Sequence, residues 1–443
     1  MSPIQLSDHF DYSRLLRFTL PSVIMMIFTS IYGVVDGFFV SNFVGVTPFA
    51  AVNFIMPFLM ILGAIGAMFG AGGSALISKT LGEGDRDKAN RTFSLLVYIT
   101  IASGAVIALA SFFLLRPIAS ALGAEGEMLD YCVTYGRIFI AALPLFMLQY
   151  EFQSFFITAE KPHLGLYVTI IAGVSNMVLD ALFMAVFRWG VAGAALATAI
   201  SQTIGGILPL LYFARPNDSL LKLGRTAFDG NALLRTCTNG SSELMSNISM
   251  SLVGMLYNVQ LLKYAGEDGV SAYGVLMYVN MIFIAVFIGY STGIAPVVGY
   301  HYGADNTNEL KSLRKKSLKI IAVCSAAMVV LAEVLARPLA ALFVGSEPEL
   351  MALTVRGFTI YSLSFLFSGL AIFGSAFFTA LNNGLVSALI SFLRTLLFQA
   401  AAVLIFPLIW GIDGIWLSIV AAELMAAAIT VCFLVGMRKK YRY

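Results

Sequence analysis

Charge is what this chain has least of. Asp, Glu, Lys and Arg make up 12% of its 443 residues, against about a quarter in soluble domains. So few polar side chains cannot clothe a water-facing surface. Cysteine is also scarce. Cys132, Cys237, Cys324 and Cys432 stand far apart without a CxxC, so neither a disulfide framework nor a thiolate metal site is indicated. The three histidines, His9, His163 and His301, fall near helix ends and form no HExxH. There is no Ser/Lys, Ser/His or paired-Asp catalytic arrangement, so an intramembrane enzyme is not expected, nor a cofactor. The net charge of +3 gives no reason to expect a nucleic-acid partner. A signal peptide is lacking too: Met1 to Ser13 is polar, and the first apolar run is too long and has no cleavage site, so the first helix should be retained.

What the chain does have is apolar side chains, 59% of the total, with a mean hydropathy of +0.88. Lipid is the solvent that suits such a composition. Backbone groups in hydrocarbon must be satisfied internally, and Ala/Leu/Ile/Phe-rich runs of this length predict helices rather than barrel strands. Runs near 14–41, 48–78, 91–115, 128–158, 164–187, 191–214, 233–261, 269–300, 313–335, 349–380, 384–409 and 412–437 make the expected fold an all-α integral membrane protein with twelve crossings.

Lys and Arg then orient it. Arg14 and Arg17, Lys79 to Arg91, Lys161, Arg215 to Arg235, Lys311 to Lys319 and Arg438 to Arg442 flank one face. Only Arg116, Arg137, Arg188, Lys263, Arg337 and Arg356 flank the other. The bias predicts cytoplasmic termini in a bacterial inner membrane. Lys311, Arg314, Lys315, Lys316 and Lys319 also suit anionic lipid headgroups, although topology alone accounts for them.

The chain repeats itself. A shift of 221 residues carries Leu81-Gly82 onto Tyr302-Gly303 and Arg116-Pro117-Ile118-Ala119 onto Arg337-Pro338-Leu339-Ala340. It also carries Gly136 onto Gly357, Thr158-Ala159 onto Thr379-Ala380, and Trp189-Gly190 onto Trp410-Gly411. Six crossings per repeat give both halves the same orientation, the parallel-repeat plan of secondary transporters whose substrate site lies between the halves. The expected division is 1–214 for the first lobe, 215–232 for a linker and 233–443 for the second lobe. A monomer is expected.

These segments carry a family resemblance. Pro296-Val297-Val298-Gly299-Tyr300-His301-Tyr302-Gly303-Ala304, with its counterpart Ser78-Lys79-Thr80-Leu81-Gly82-Glu83-Gly84-Asp85, resembles the loop after helix 8 of multidrug and toxic compound extrusion (MATE) transporters. Asn176 to Asp180, followed by Gly190 to Thr198, is similar to that family's helix 5–6 signature, and Pro21 in helix 1, fifteen residues before Asp36, fits as a kink. The resemblance is to the bacterial MepA-like or DinF-like branch. It implies a V-shaped pair of lobes and a cation-coupling site in the first lobe at Asp36, Asn176, Asp180 and Thr198. It also implies Tyr135 and Gln153 as cavity residues.

The residues themselves point the same way. A carboxylate in hydrocarbon is costly and marks a functional candidate. Asp36, Asp180 and Thr198 fall at similar depth, about 8–10 Å below the outer surface at roughly 1.5 Å per residue. Asn176 precedes Asp180 by one turn, and Tyr32, one turn before Asp36, is placed to donate to it. Such oxygens suit either a proton or Na⁺. At the 221-residue shift the four positions become Tyr257, Leu397, Ala401 and Ile419, with Asn258 one residue out of register, so coupling is expected in the first half alone. Glu151, Glu243 and Arg394 also lie within helices, as an interlobe ion pair or gate, or as substrate contacts.

Two functions compete. The first is export of organic cations by H⁺ or Na⁺ antiport, with aromatic and Met side chains suiting a repackable pocket. The second is a lipid-linked oligosaccharide flippase, which should present several intramembrane Arg or Lys to pyrophosphate. Arg394 is the one base deep in a helix, and the buried acids outnumber it.

Overall fold

The computed structural model describes residues 4–345 and 347–443, and among them the regular structure is all helical. Nine helices are long and apolar enough to cross a bilayer, and two bent pairs add two crossings. One of the nine, Gly230–Gly303, is 74 residues long, far beyond what one crossing needs. It turns at Gly266, where φ is 62°, a conformation that disfavours any residue with a Cβ. The rings of Tyr257 and Tyr273, on either side of that turn, stack 5.2 Å apart, so the helix folds back into two crossings. Among the described residues the crossings therefore number twelve.

In chain order they are α1 (Tyr12–Phe43), α2 (Val46–Gly82), α3 (Arg86–Ala121), α4 (126–158), α5 (Pro162–Val186), α6 (Gly190–Ala214), α7 (230–265), α8 (267–303), α9 (Thr307–Val344), α10 (348–380), α11 (Gly384–Trp410) and α12 (Ile412–Gly436). Helices that start at the basic face mostly carry an Asx cap. Asp11 accepts from the Arg14 amide, Asp85 from Lys88, Asp229 from Asn231 and Ala232, Asn306 from Glu309 and Asn383 from Val386. Each such cap contributes about 1 kcal/mol.

The crossings expected at 128–158 and 349–380 are present, and each is bent. Gly126–Ala141 and Leu143–Thr158 meet at 57°, and Pro348–Ser362 and Phe365–Ala380 meet at 49°. The breaks at Ala142 and Leu363 are 221 residues apart, so the bend belongs to the repeated unit. Pro144 removes an amide just after the first break; the second bends without a proline.

The two lobes, α1–α6 and α7–α12, meet through backbone. A Cβ on Gly82 would stand 1.9 Å from the Tyr300 carbonyl oxygen, and one on Gly303 would stand 2.0 Å from that of Lys79. The same shift exchanges these two contacts, because Gly82 maps to Gly303 and Lys79 to Tyr300. Gly72 against Gly240 and Gly293 against Thr19 form a second exchanged pair. Residue i touches j wherever the image of j touches the image of i, which is the signature of a two-fold interface. Every one of these contacts lies in the basic-face half of its helix.

The apolar cores divide accordingly. At the basic end Leu6, Phe10, Leu15, Phe18 and Ile157 share one cluster with second-lobe residues from Tyr290 to Tyr443. At the other end the buried cluster from Val40 to Ala195 is purely first-lobe, and that from Val253 to Ile419 purely second-lobe. The buried cores are thus merged at the basic end and separate toward the opposite end, where α1 and α8 still touch: Ser30 Oγ donates to the Met281 carbonyl at 3.2 Å, and a Cβ on Gly37 would stand 3.7 Å from the Tyr278 hydroxyl. Residues 215–229 do not hang free between them. The Lys222 amide donates to Asn90 Oδ1 at 2.8 Å, Gly224 to Ser94 Oγ at 3.0 Å, and Thr226 Oγ1 to the Arg91 carbonyl at 2.8 Å, which lays the segment along α3.

Gly82→Ala should force the lobes apart at the basic end, at a cost of roughly 1–3 kcal/mol typical of overpacking. Gly254→Ala, where nothing lies within 4 Å of the added methyl, should be neutral or stabilise the helix. Thermal unfolding followed by native fluorescence checks both, and equal melting temperatures for the two variants would contradict the interface.

Candidate functional site

Four helices of the first lobe converge near the end opposite the basic face. Asp36 is on α1, Tyr135 on α4, Asp180 on α5 and Thr198 on α6. Asp180 closes the regular part of α5, and a π-helical turn, Ala181–Val186, follows at once. Such turns re-aim side chains and recur at functional sites. Asp180 is fully buried, as are Asn176 one turn earlier and Tyr135; Asp36 is half-buried.

The Asp36 and Asp180 carboxyls lie within hydrogen-bonding reach of each other. No protein donor reaches Asp36 Oδ1 or either oxygen of Asp180. Two carboxylates cannot bond to one another unless a proton, or a small cation, lies between them. Around the pair, the Thr198 hydroxyl donates to the Ala194 carbonyl at 3.1 Å and lies within reach of the Tyr135 hydroxyl. Tyr32 is close to Asp36, but the hydrogen bond expected between them is not made. Its ring instead packs on α5, 2.8 Å from where a Cβ of Gly173 would be. Gln153 is buried elsewhere along α4.

The second lobe holds a different arrangement at the equivalent depth. Tyr257, in the register position of Asp36, shares a 3.0 Å hydrogen bond with Ser418 Oγ and stacks on Tyr273. Asn258, the near-match in register, is exposed beside it. Arg394 lies in a π-helical turn of α11, Leu393–Leu397. Its Nε donates to both oxygens of Glu423 on α12, at 3.1 and 2.9 Å.

That pairing corrects the expected interlobe gate. Arg394 is held by an acid of its own lobe. Glu151 is fully buried inside the first lobe, against Gly70 of α2, with neither carboxylate oxygen hydrogen-bonded. Glu243 is exposed on α7. The structure brings none of the three together. Glu423 was hidden from sequence reasoning because nothing in α12 marks its inward face, and its partner is 29 residues away on another helix.

Comparison with known proteins matches this architecture. The MatE family model matches residues 21–182 and again 244–405, one match in each half. A relative named Multidrug export protein MepA, from Staphylococcus haemolyticus, is 25% identical over 97% of this chain and 94% of its own. A MATE transporter crystallised in complex with MaL6 superposes with a TM-score of 0.94 at 22% identity, over 100% of this chain and 99% of that one. A multidrug resistance MATE family transporter of the MOP superfamily, in an outward-facing conformation, superposes at 0.93 with the same identity and coverage. With a family model matched in both halves and a two-lobed, twelve-crossing fold shared over its whole length, the chain belongs to the MatE family and is a membrane transporter, not an enzyme.

Proposed function

We propose that the protein is a secondary active multidrug exporter that expels lipophilic organic cations in exchange for H⁺ or Na⁺. It works as a monomer in the bacterial inner membrane, with both termini in the cytoplasm. The concentration of Lys and Arg on one face supports that orientation, and the curated relatives named as multidrug export proteins support the substrate class. A buried core shared between the lobes at the basic, cytoplasmic end, with separate cores toward the other end, supports an outward-facing reading of this arrangement.

One observation carries the coupling assignment. The Asp36–Asp180 pair has three orphan oxygens and no base, whereas both oxygens of Glu423 are occupied by Arg394. A paired carboxylate has little to gain from a passing cation; an unpaired couple gains a great deal. The first lobe therefore takes up the ion from outside. A proton is the simpler occupant because it satisfies both carboxyls by itself. Na⁺ would need further oxygens, for which Asn176 and Thr198 are the neighbours at hand. Loading the site removes the repulsion between α1 and α5. Helix α1 then shifts around Pro21, whose ring carries no amide for the helix, and the cavity releases its drug outward. Tyr135 and Gln153 on the first-lobe side and Glu243 on the second-lobe side are the substrate-facing candidates, and Glu243 supplies negative charge with no adjacent base. The flippase alternative is disfavoured by the same accounting of charge. The deep cation, Arg394, is already neutralised, so it is not available to a pyrophosphate.

Proteoliposomes loaded with a fluorescent quaternary ammonium dye test the reading, with ΔpH and ΔNa⁺ imposed separately. Asp36→Asn and Asp180→Asn should each reduce gradient-driven efflux to the level of empty vesicles while folding is retained. Asn258→Ala should stay near wild type. Gradient-driven efflux surviving in Asp36→Asn would sink the coupling assignment, and scrambling of lipid-linked sugars without dye transport would install the flippase reading.

Glu423→Gln should act on stability instead. It strands the Arg394 charge in the second lobe and should cost about 3–5 kcal/mol, read as a lower unfolding temperature. Glu151→Gln, which strands no cation, should cost far less.

A further inference from the structure

The segment before α1 makes contacts that neither the coupling site nor the helix packing requires. Residues 4–11 leave the first lobe and cross to the second. The Leu6 amide donates to Glu160 Oε1 at 2.6 Å, and Glu160 belongs to the α4–α5 turn of the first lobe. Three and four residues later, both oxygens of Glu309, in the first turn of α9 in the second lobe, are occupied. The Phe10 amide donates to Oε1 at 2.9 Å, and His9 Nδ1 lies 2.7 Å from Oε2. Lys316, also on α9, donates its ammonium to the Phe10 carbonyl. Leu6 and Phe10 are both 0% exposed within the mixed apolar cluster. The Phe10 ring meets the edges of Phe18 on α1 and His301 on α8.

We propose that residues 4–11 are a latch that holds the basic ends of the two lobes together, with Glu160 fixing it to the first lobe and Glu309 as its catch on the second. The proposal rests on the alternating-access reading above. Its geometry is asymmetric in a useful way. The other segment that crosses at this end, 215–229, is tied by the chain to both lobes and cannot let go. The strap's hold on the second lobe is entirely noncovalent: hydrogen bonds to one carboxylate, one ammonium and one buried ring. Those contacts must break before the basic ends can part, and they involve neither the drug nor the coupling ion. Charged acceptors make the catch firm, while its small number of bonds keeps it releasable. Glu160 has a left-handed backbone, with φ of 62°, uncommon for a residue with a side chain. That conformation is what its place at the turn between two helices imposes, and its carboxylate caps a strap amide rather than a helix.

Electron–electron distance measurements on the full chain in lipid nanodiscs test the latch. Cys132, Cys237, Cys324 and Cys432 are replaced, and spin labels are placed at Asp87 and Lys439 across the basic end or at Glu127 and Glu349 across the other. No drug or gradient is applied. Glu309→Ala and Phe10→Ala should each shift the ratio of basic-end-open to basic-end-closed molecules on the order of tenfold, with the opposite end closing in step. Glu160→Ala should move it in the same direction. Glu309→Gln, which keeps one acceptor oxygen for the Phe10 amide and turns the other into a donor, should shift it less. Because Glu309 and Phe10 act through one strap, the double variant should shift the ratio no further than the larger single one. Unchanged distances in Glu309→Ala, additive shifts in the double variant, or loosening of both ends together would overturn the latch. A variant that elutes as aggregate is replaced by Glu309→Gln, whose smaller shift is decisive on its own. If dye efflux fails in every assay but the distances shift as stated, the latch stands and the transport reading falls. If efflux proceeds while the distances do not move, the reverse holds.

Discussion

A carboxylate that has lost water and found no base is the constraint around which this molecule is arranged. Hydrocarbon offers nothing to a charge, so each buried acid must be paired, protonated or given a cation. The two lobes answer that demand differently. In the second, Glu423 is closed off by Arg394 and the hydroxyls of Tyr257 and Ser418 satisfy each other. In the first, Asp36 and Asp180 face one another without a basic side chain as partner among the described residues. A duplicated scaffold has thereby been divided into a lobe with its buried acid paired to a base and a lobe with a bare carboxyl pair.

The duplication also explains how the lobes can move. An interface held by interdigitated side chains would resist rearrangement, because packed cores are close to crystalline in density. Here part of the seam is glycine against backbone carbonyls, at Gly82, Gly303 and Gly72, with Gly293 against Thr19, in contacts exchanged by the repeat. Such surfaces are smooth and shallow, and all of them lie toward one end. Beside this seam the lobes are held by the shared apolar core, by the Asn382 side-chain amide on the Ala75 carbonyl and by the contacts of residues 4–11. The carboxylate pair and the strap contacts thus sit toward opposite ends of the lobes.

The chain order already contains most of this architecture. Twelve crossings and the repeat were legible because lipid imposes a length on every helix and duplication leaves a constant offset. Asp36 and Asp180 stood out as candidates because acids are rare in such a chain, while Asn176 and Thr198 were added by the family resemblance. The bends at Ala142 and Leu363 were not, since only one has a proline near it and apolar composition continues across both. The partner of Arg394 was not legible either. Which face of α12 turns inward depends on the packing of α10 and α11, and a π-helical turn had rotated Arg394 itself.

What the sequence determined alone was therefore solvent, topology and candidate acids, because each follows from composition or spacing along one helix. What only the tertiary structure decided was pairing. It put Asp36 against Asp180, gave Arg394 to Glu423, left Glu151 without a partner, and carried the polar stretch before α1 across to Glu309. Pairing joins residues 300 positions and more apart in the chain, His9 with Glu309 and Lys316 with Phe10 among them. Their contact is fixed by how helices lean on one another, which no local pattern records.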